Sequence, residues 1–373
     1  MHVYRNLLPG DAAPWFTARS TTRADHQFDT AGGRYIALCF FASAADASGK
    51  AAIDAALAHA DLFDDVRASF FGISIDPEDE TQGRVTARMP GFRFFWDFDG
   101  QISRLYGALP RDAVSASEKA LRRIWVVLDP TLRVMKVVRF TQDRRDANEF
   151  VDYLRSLPPP SRFAGFEVQA PILVLPHVFD PEFCAKLMTL HETHGAKETG
   201  FMCDVDGRTV ERYDHGYKRR TDHFIEDQDI IRQIQLRFIR AVLPELRKVY
   251  QFKASRMERY LVGCYRAEDG GHFVPHRDNT NKGTAHRCFA ASVNLNADFD
   301  GGEVRFPEYG PRGFKPLPGE AVVFSCSLLH AVSKVTRGRR YAFLPFLYDE
   351  DGAKVREANK TFVDEGADKL QTR

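Results

Sequence analysis

The sequence predicts two domains, an α/β sandwich followed by a jelly-roll barrel with supporting helices. Three observations predict this. The chain has 373 residues, more than one ordinary hydrophobic core accommodates and enough for two. Three consecutive prolines in SLPPPSRFAG, at 156–165, stiffen the backbone and end whatever helix precedes them. Across that stretch the apolar pattern changes, from strands alternating with helices to short β-rich runs. The expected domains are 1–157 and 169–373, joined by a Pro-rich linker at 158–168.

In the first half, RYIALCFFA (34–42) reads as a buried strand, and the Ala-rich KAAIDAALAHADLF as the helix after it. SFFGISID (69–76) is a second strand ending in a D-P turn. RRIWVVLDP (122–130) and RVMKVVRF (133–140) form a hairpin, and DANEFVDYL closes the domain with a helix. Strands alternating with helices and ending in a hairpin argue for three layers.

The second half restarts with a short apolar strand in PILVLP. Asp180 and Pro181 then mark a helix start as N-cap and first helical residue. Helical patterns fill 181–195 and 226–252, with Pro244 kinking or dividing the second. From Met257 the runs MERYLVGCY, RCFAASVNLN, GEVRFP, AVVFSCSLLHAV and RRYAFLPFLYD are short strands separated by Gly-, Pro- and Asn-rich turns, as in a jelly roll. The GGE turn at 301–303 supplies a tight reversal.

Composition narrows the function. Lys and Arg number 52 against 51 Asp and Glu, a net charge of +1, which gives no electrostatic case for nucleic-acid or membrane binding. The start, MHVYRNLLPGDAAPWF, has no basic region followed by an apolar run, and no stretch reaches transmembrane length. Six cysteines lie scattered without C-x-x-C spacing, which points to reduced thiols in a cytoplasmic protein.

The chemistry-bearing stretch is HFVPHRDN at 272–279. His276 and Asp278, two apart, point the same way on an extended backbone, whereas Arg277 points to the other face. That arrangement suits two donors on one ion, and equally a solvated strand edge. A third donor decides between them. His330 follows 52 residues after Asp278 on a later strand, and two His with one carboxylate form a facial triad for iron(II). Arg340, ten residues beyond His330, lies on the next strand and shares parity with Ala342, Leu344 and Phe346. Its rigid donors suit the distal carboxylate of a chelating 2-oxo acid.

With these residues in place, 170–349 resembles the prolyl 4-hydroxylase branch of iron(II)- and 2-oxoglutarate-dependent dioxygenases, whose fold is a double-stranded β-helix. CYRAEDGGHFVPHRDN, RCFAASVNLN, DFDGGEVRFP, the strand ending in His330 and the GRRYAF strand fall in that family's order. The resemblance implies iron at His276, Asp278 and His330, and 2-oxoglutarate held by Arg340. Tyr265 and Asn294 are its further implied contacts to the co-substrate. It also implies O2, a peptidyl (prolyl-type) or small-molecule substrate, succinate and carbon dioxide as products, and ascorbate as reductant. Ala342 departs from the family, in which a hydroxyl often stands beside the arginine.

Residues 6–155 resemble the peroxiredoxins, which have a thioredoxin-like fold. The likeness rests on LLPGDAAPWF, SFFGISIDP, FFWDFDGQISRLYG and RRIWVVLDP. The segment that holds the family's peroxidatic cysteine is here FFASAADASGK (40–50), without Thr or Cys. Cys39 lies within the apolar strand and reads as a small hydrophobe. Arg123 occupies the place of the family's arginine near its thiol and has no thiolate to serve. The expected role is a non-catalytic module, for substrate docking or homodimerisation.

Other polar groups read as structural. His191 and His194 on a helix lack further ligands and suggest a solvated helix end; His272 and His286 suggest the rim of the triad loop. Arg212, Lys218, Arg219 and Arg220 suggest a solvated, mixed-charge loop. The competing functional reading is a non-catalytic two-domain binding protein derived from a peroxiredoxin and a dioxygenase.

Overall fold

The computed structural model describes residues 3–112 and 121–363. The extreme ends of the expected domains, 1–2 and 364–373, lie outside the described residues. The chain divides into two compact units. One comprises 1–169 with 307–310, and the other 170–306 with 311–373.

The first unit is built on a five-stranded sheet. Its order is Phe92–Trp96, Ala68–Ser74, Tyr35–Ala42, Ile124–Leu128, Val134–Arg139. The first three strands are parallel and the last two antiparallel to their neighbours. Phe92–Trp96 was not expected as a strand: five residues, FRFFW, are too short to carry a clear periodicity, and only pairing with Ala68–Ser74 defines it. Alternation along Tyr35–Ala42 serves two cores. Ile36, Leu38 and Phe40 join Phe28, Ile102 and Tyr106 on one face. Tyr35, Ala37, Cys39 and Phe41 join Ile53, Trp125, Phe150 and Leu154 on the other, under helices Ala47–Ala58 and Arg145–Ser156. Both faces of the sheet are therefore covered, which gives the three expected layers.

The second unit opens with strand Leu173–Leu175 and helix Pro181–Thr193, where Asp180 accepts the Phe183 N–H at 2.8 Å as N-cap. The long helical stretch is two helices, Gln228–Ala241 and Leu243–Tyr250, with Pro244 in the first turn of the second. Their apolar faces deliver Ile234, Phe238 and Leu246 to a core with Leu187, Val262, Val293, Val323 and Phe343.

These helices back a larger sheet ordered Arg256–Glu258, Phe346–Tyr348, Phe289–Asn294, Arg339–Phe343, Leu261–Arg266, Thr221–Phe224, Lys197–Glu198. Strand Ala321–Ser325 pairs both with Phe289–Asn294 and with Leu173–Leu175. A smaller sheet is ordered Lys218–Arg219, His272–His276, His330–Val332, Val304–Arg305, Gly313–Phe314. The ladders of both sheets are antiparallel.

Three expected strands are each broken in two, RRYAFLPFLYD into Arg339–Phe343 and Phe346–Tyr348 around Pro345. MERYLVGCY divides at Arg259, whose φ is +62°. AVVFSCSLLHAV divides at a turn between Ser325 and His330, and this turn carries the chain from the larger sheet to the smaller. Gly301 and Gly302 are consecutive left-handed residues, and a Cβ on Gly302 would lie 3.0 Å from the Arg340 Cδ. The GGE turn thus needs glycine twice, once for the reversal and once for the closeness of Arg340.

Leu187 is fully buried between its helix and the larger sheet. Leu187→Ala is expected to cost about 2–5 kcal/mol, read as a lower urea midpoint with fluorescence probes of this unit.

Candidate metal centre

His276 ends one strand of the smaller sheet, and His330 begins the neighbouring one. The ladder places them directly opposite each other, with ring centroids 4.2 Å apart. Asp278 follows the strand end, where its backbone N–H donates to the Cys326 carbonyl at 3.0 Å. Its carboxylate oxygens lie 3.6 Å from the His276 Nε2 and 3.3 Å from the His330 Nε2. Among the described residues, these three form the one His/Cys/Asp/Glu group whose potential ligand atoms all lie within 4.8 Å of one another.

The tautomers follow from the backbone. His276 Nδ1 lies 2.8 Å from the Val274 carbonyl, and His330 Nδ1 lies 3.1 Å from that of Leu328. A carbonyl only accepts, so each Nδ1 carries the proton and each Nε2 lone pair turns toward Asp278. Burial lowers the His330 pKa to about 4, against the opposing pull of Asp278, which leaves the ring neutral at physiological pH. Burial works to raise the Asp278 carboxyl; in the acid range where it titrates, the protonated His330 and His276 rings and Arg287 outweigh burial and hold it well below the usual carboxylate range. Two imidazole nitrogens and one carboxylate suit a divalent cation.

The rings are boxed by aromatics. Phe273 stacks on His276 at 3.6 Å, and Phe324 lies 4.6 Å from His330. Arg277 does not face solvent. It is 7% exposed and donates to the Ser327 carbonyl, while Asn279 Nδ2 donates to Ser327 Oγ at 2.8 Å, so the residues flanking Asp278 are tied to the 325–330 turn.

The larger sheet supplies the second cluster. Arg340 is 1% exposed and lies opposite Tyr265 in the ladder. Its Nε donates to Asn294 Oδ1 at 3.1 Å. Its Nη2 donates to the same oxygen at 3.0 Å and to Ser292 Oγ at 2.7 Å. Its Nη1 has no hydrogen-bond partner. Among the described residues no carboxylate lies within ion-pair distance of it. Ser292 escaped the sequence reading, although its parity with Asn294 was the available signal; it supplies the hydroxyl that Ala342 lacks. Asn294 also donates to the Pro316 carbonyl at 2.8 Å, so its amide orients Arg340. An apolar cluster of Tyr265, Phe299, Val332 and Val335, with Phe273 packed on it, joins the Arg340 side to the histidine strands.

Several expectations for other polar residues are corrected. Arg212 is exposed, but Lys218 is 4% exposed and Arg220 9%, because Lys218–Arg219 and Thr221–Phe224 are paired strands and not a loop. His286 is not at a rim but buried beside Glu258, with its Nε2 2.8 Å from the carboxylate. His191 is buried against Thr221 and does not share a site with His194, which is exposed.

In the first unit Cys39 is fully buried, and burial pushes its thiol pKa well up. Arg123 has found another partner. Its Nη2 donates to Asp46 Oδ2 at 2.9 Å, and the same carboxylate accepts the Ser48 and Gly49 N–H groups as N-cap of helix Ala47–Ala58.

Comparison with known proteins agrees with this geometry half by half. Residues 260–348 match the 2OG-Fe(II) oxygenase superfamily, and residues 9–137 the AhpC/TSA family. This chain joins an oxygenase-like half to a peroxiredoxin-like half. A PKHD-type hydroxylase of Pseudomonas putida is 27% identical over 185 residues, which is 46% of this chain and 75% of the relative. Among solved structures, a Trichoplax adhaerens prolyl hydroxylase in complex with a hypoxia inducible factor fragment matches at 14% identity and a TM-score of 0.38, over 50% of this chain and 86% of that one. A peroxidoxin of Mycobacterium tuberculosis matches at 20% identity and a TM-score of 0.36, over 41% and 99%. The C-terminal half resembles the prolyl 4-hydroxylase branch, and the N-terminal half a peroxiredoxin without its peroxidatic cysteine. Among the described residues no helix is long and apolar enough to cross a membrane.

Glu258 gives this unit an acid-sensitive anchor. It is 4% exposed, accepts from Arg287 Nε at 2.7 Å and has the His286 Nε2 at 2.8 Å. Burial would raise its pKa, but Arg287 and His286 outweigh burial and depress it to about 2, from an ordinary 4.5. A depressed carboxyl contributes its stability above the unfolded value and loses it as pH falls through the folded one. The Glu258→Gln protein is expected to melt earlier at pH 7 and to show a shallower loss of melting temperature between pH 4.5 and 2.

Proposed function

We propose that the chain is an iron(II)- and 2-oxoglutarate-dependent dioxygenase that hydroxylates a peptidyl residue of the prolyl type or a small molecule. The observation that carries the reading is Arg340. A buried guanidinium without an anionic partner costs several kcal/mol, of order, and calls for an anion to complete it. A carboxylate at the free Nη1 would do so, and the match of 260–348 to the 2OG-Fe(II) oxygenase superfamily supports reading it as the distal carboxylate of 2-oxoglutarate.

The reading assigns the residues as follows. His276 and His330 present Nε2 lone pairs, and Asp278 presents a carboxylate, to the iron. Their orientation is held from behind by the Val274, Leu328 and Cys326 carbonyls, so the donor set is pre-organised. Asn294 and Ser292 fix the plane of the Arg340 guanidinium, and Tyr265 lines the same side. Phe273 and Phe324 exclude water around the imidazoles. Iron(II) held there would supply the activation of dioxygen, the oxidant, with 2-oxoglutarate as the co-substrate oxidised alongside: one oxygen atom would enter succinate as carbon dioxide leaves, and the other the substrate carbon.

The first unit is assigned a non-catalytic role, with the domains divided at the 158–168 linker. The buried Cys39 thiol and the Arg123–Asp46 pair support this role.

Succinate formed from 2-oxoglutarate with iron(II) tests the assignment, with substrate candidates screened by the same readout. His276→Ala and Asp278→Ala are expected to abolish it, and Arg340→Gln to raise KM for 2-oxoglutarate by about tenfold or more while still binding metal. Undiminished turnover in both metal-site variants would refute the reading.

A further inference from the structure

The run Lys218–Asp222 carries four charged side chains, and the two that matter most are inside the protein. Arg220 is 9% exposed and Asp222 2%. They form a two-point ion pair, with Arg220 Nε 2.6 Å from Asp222 Oδ1 and Nη2 donating to Oδ2 at 2.8 Å. Asp222 also accepts the Thr199 hydroxyl, with Arg259 and Lys218 just under 4 Å away on its other sides. Arg220 is therefore held rigidly, and one nitrogen is left over. That nitrogen, Nη1, donates to the Tyr265 hydroxyl at 3.2 Å.

The sheet is built to admit this arrangement. Gly263 lies opposite both Asp222 and Ala342 in its two ladders. A Cβ there would come 2.9 Å from the Arg220 Cδ and 3.1 Å from the Asp222 Oδ1. The small residue opens the lane through which the ion pair reaches Tyr265. From the other side comes Arg340: the two guanidinium carbons lie 5.6 and 5.4 Å from the Tyr265 ring centroid.

A guanidinium has donors only, and a phenol has a single proton to give. Tyr265 accepts from Arg220 and can donate to neither of its two cationic neighbours. Among the described residues its hydroxyl has no acceptor. The proton is thus available for an anion arriving beside Arg340.

We propose that Arg220, clamped by Asp222, is a positioning residue that makes the Tyr265 hydroxyl a dedicated donor to the carboxylate of the bound 2-oxo dicarboxylate. This deepens the proposed function and rests on it. Arg220 does not touch the ligand and acts through Tyr265, which distinguishes it from Arg340.

A double-mutant cycle tests the coupling. The full-length chain, loaded with manganese(II) in the absence of oxygen, is titrated with 2-oxoglutarate by calorimetry for wild type, Tyr265→Phe, Arg220→Gln and the double variant. Each single change is expected to weaken binding about tenfold to a hundredfold, and the double to bind no worse than Tyr265→Phe alone. Arg220→Lys, which keeps a donor and a charge, should recover part of the affinity, and in turnover its KM should rise with kcat little changed. Should Arg220→Gln fail to fold, Asp222→Asn, which loosens Arg220 without deleting it, replaces it in the cycle. Multiplicative penalties, with Arg220 and Tyr265 acting independently, overturn the inference while leaving wild-type binding and its dependence on Arg340 intact. A wild-type protein that binds no 2-oxoglutarate overturns both the inference and the reading beneath it.

Discussion

The pairing of His272–His276 with His330–Val332 is the constraint on which the candidate site depends. Register in an antiparallel ladder is all or nothing, because a slip of one residue sends every side chain to the opposite face. The observed register sets His276 opposite His330. The turn between Ser325 and His330 then holds the Asp278 backbone through the Cys326 carbonyl and Arg277 through that of Ser327. The carboxylate is thereby fixed by main-chain hydrogen bonding on a segment that is no longer strand.

Charge inside the second unit is arranged in two contrasting ways. Glu258 and Asp222 are each set among basic side chains: Arg287 and Arg356, with the His286 ring, around the first, and Arg220, Arg259 and Lys218 around the second. Such groups are self-contained, and removing either carboxylate would leave cations buried without a counter-charge. Arg340 is the exception, since its hydrogen bonds go to the neutral Asn294 and Ser292. Where Arg220 and Arg287 meet carboxylates, Arg340 meets none among the described residues, and this contrast is what marks it as a candidate ligand contact.

The sheet and both cores of the first unit are intact, with Trp125 stacked 4.3 Å from Phe150 and bonded to Asp146 through its indole N–H. A carboxylate, Asp46, satisfies both the helix N-terminus and Arg123, the two features that would otherwise attract an anion.

Much of this was legible in the amino-acid order. Composition and proline placement announced two units, Asp180 and Pro181 announced a helix, and His276, Asp278, His330 and Arg340 announced themselves by residue type and spacing. Those features are local, or recur in a family whose motifs are short and ordered. Tertiary structure alone decided the rest. Lys218, Arg220 and His286 carry no sequence mark of burial, because a charged residue enters a core only when partners from distant strands are waiting there. Ser292 joined Arg340 because two strands separated by more than forty residues became neighbours. Sequence determined which groups could do chemistry; strand register and burial decided which of them were left with a bond still to make.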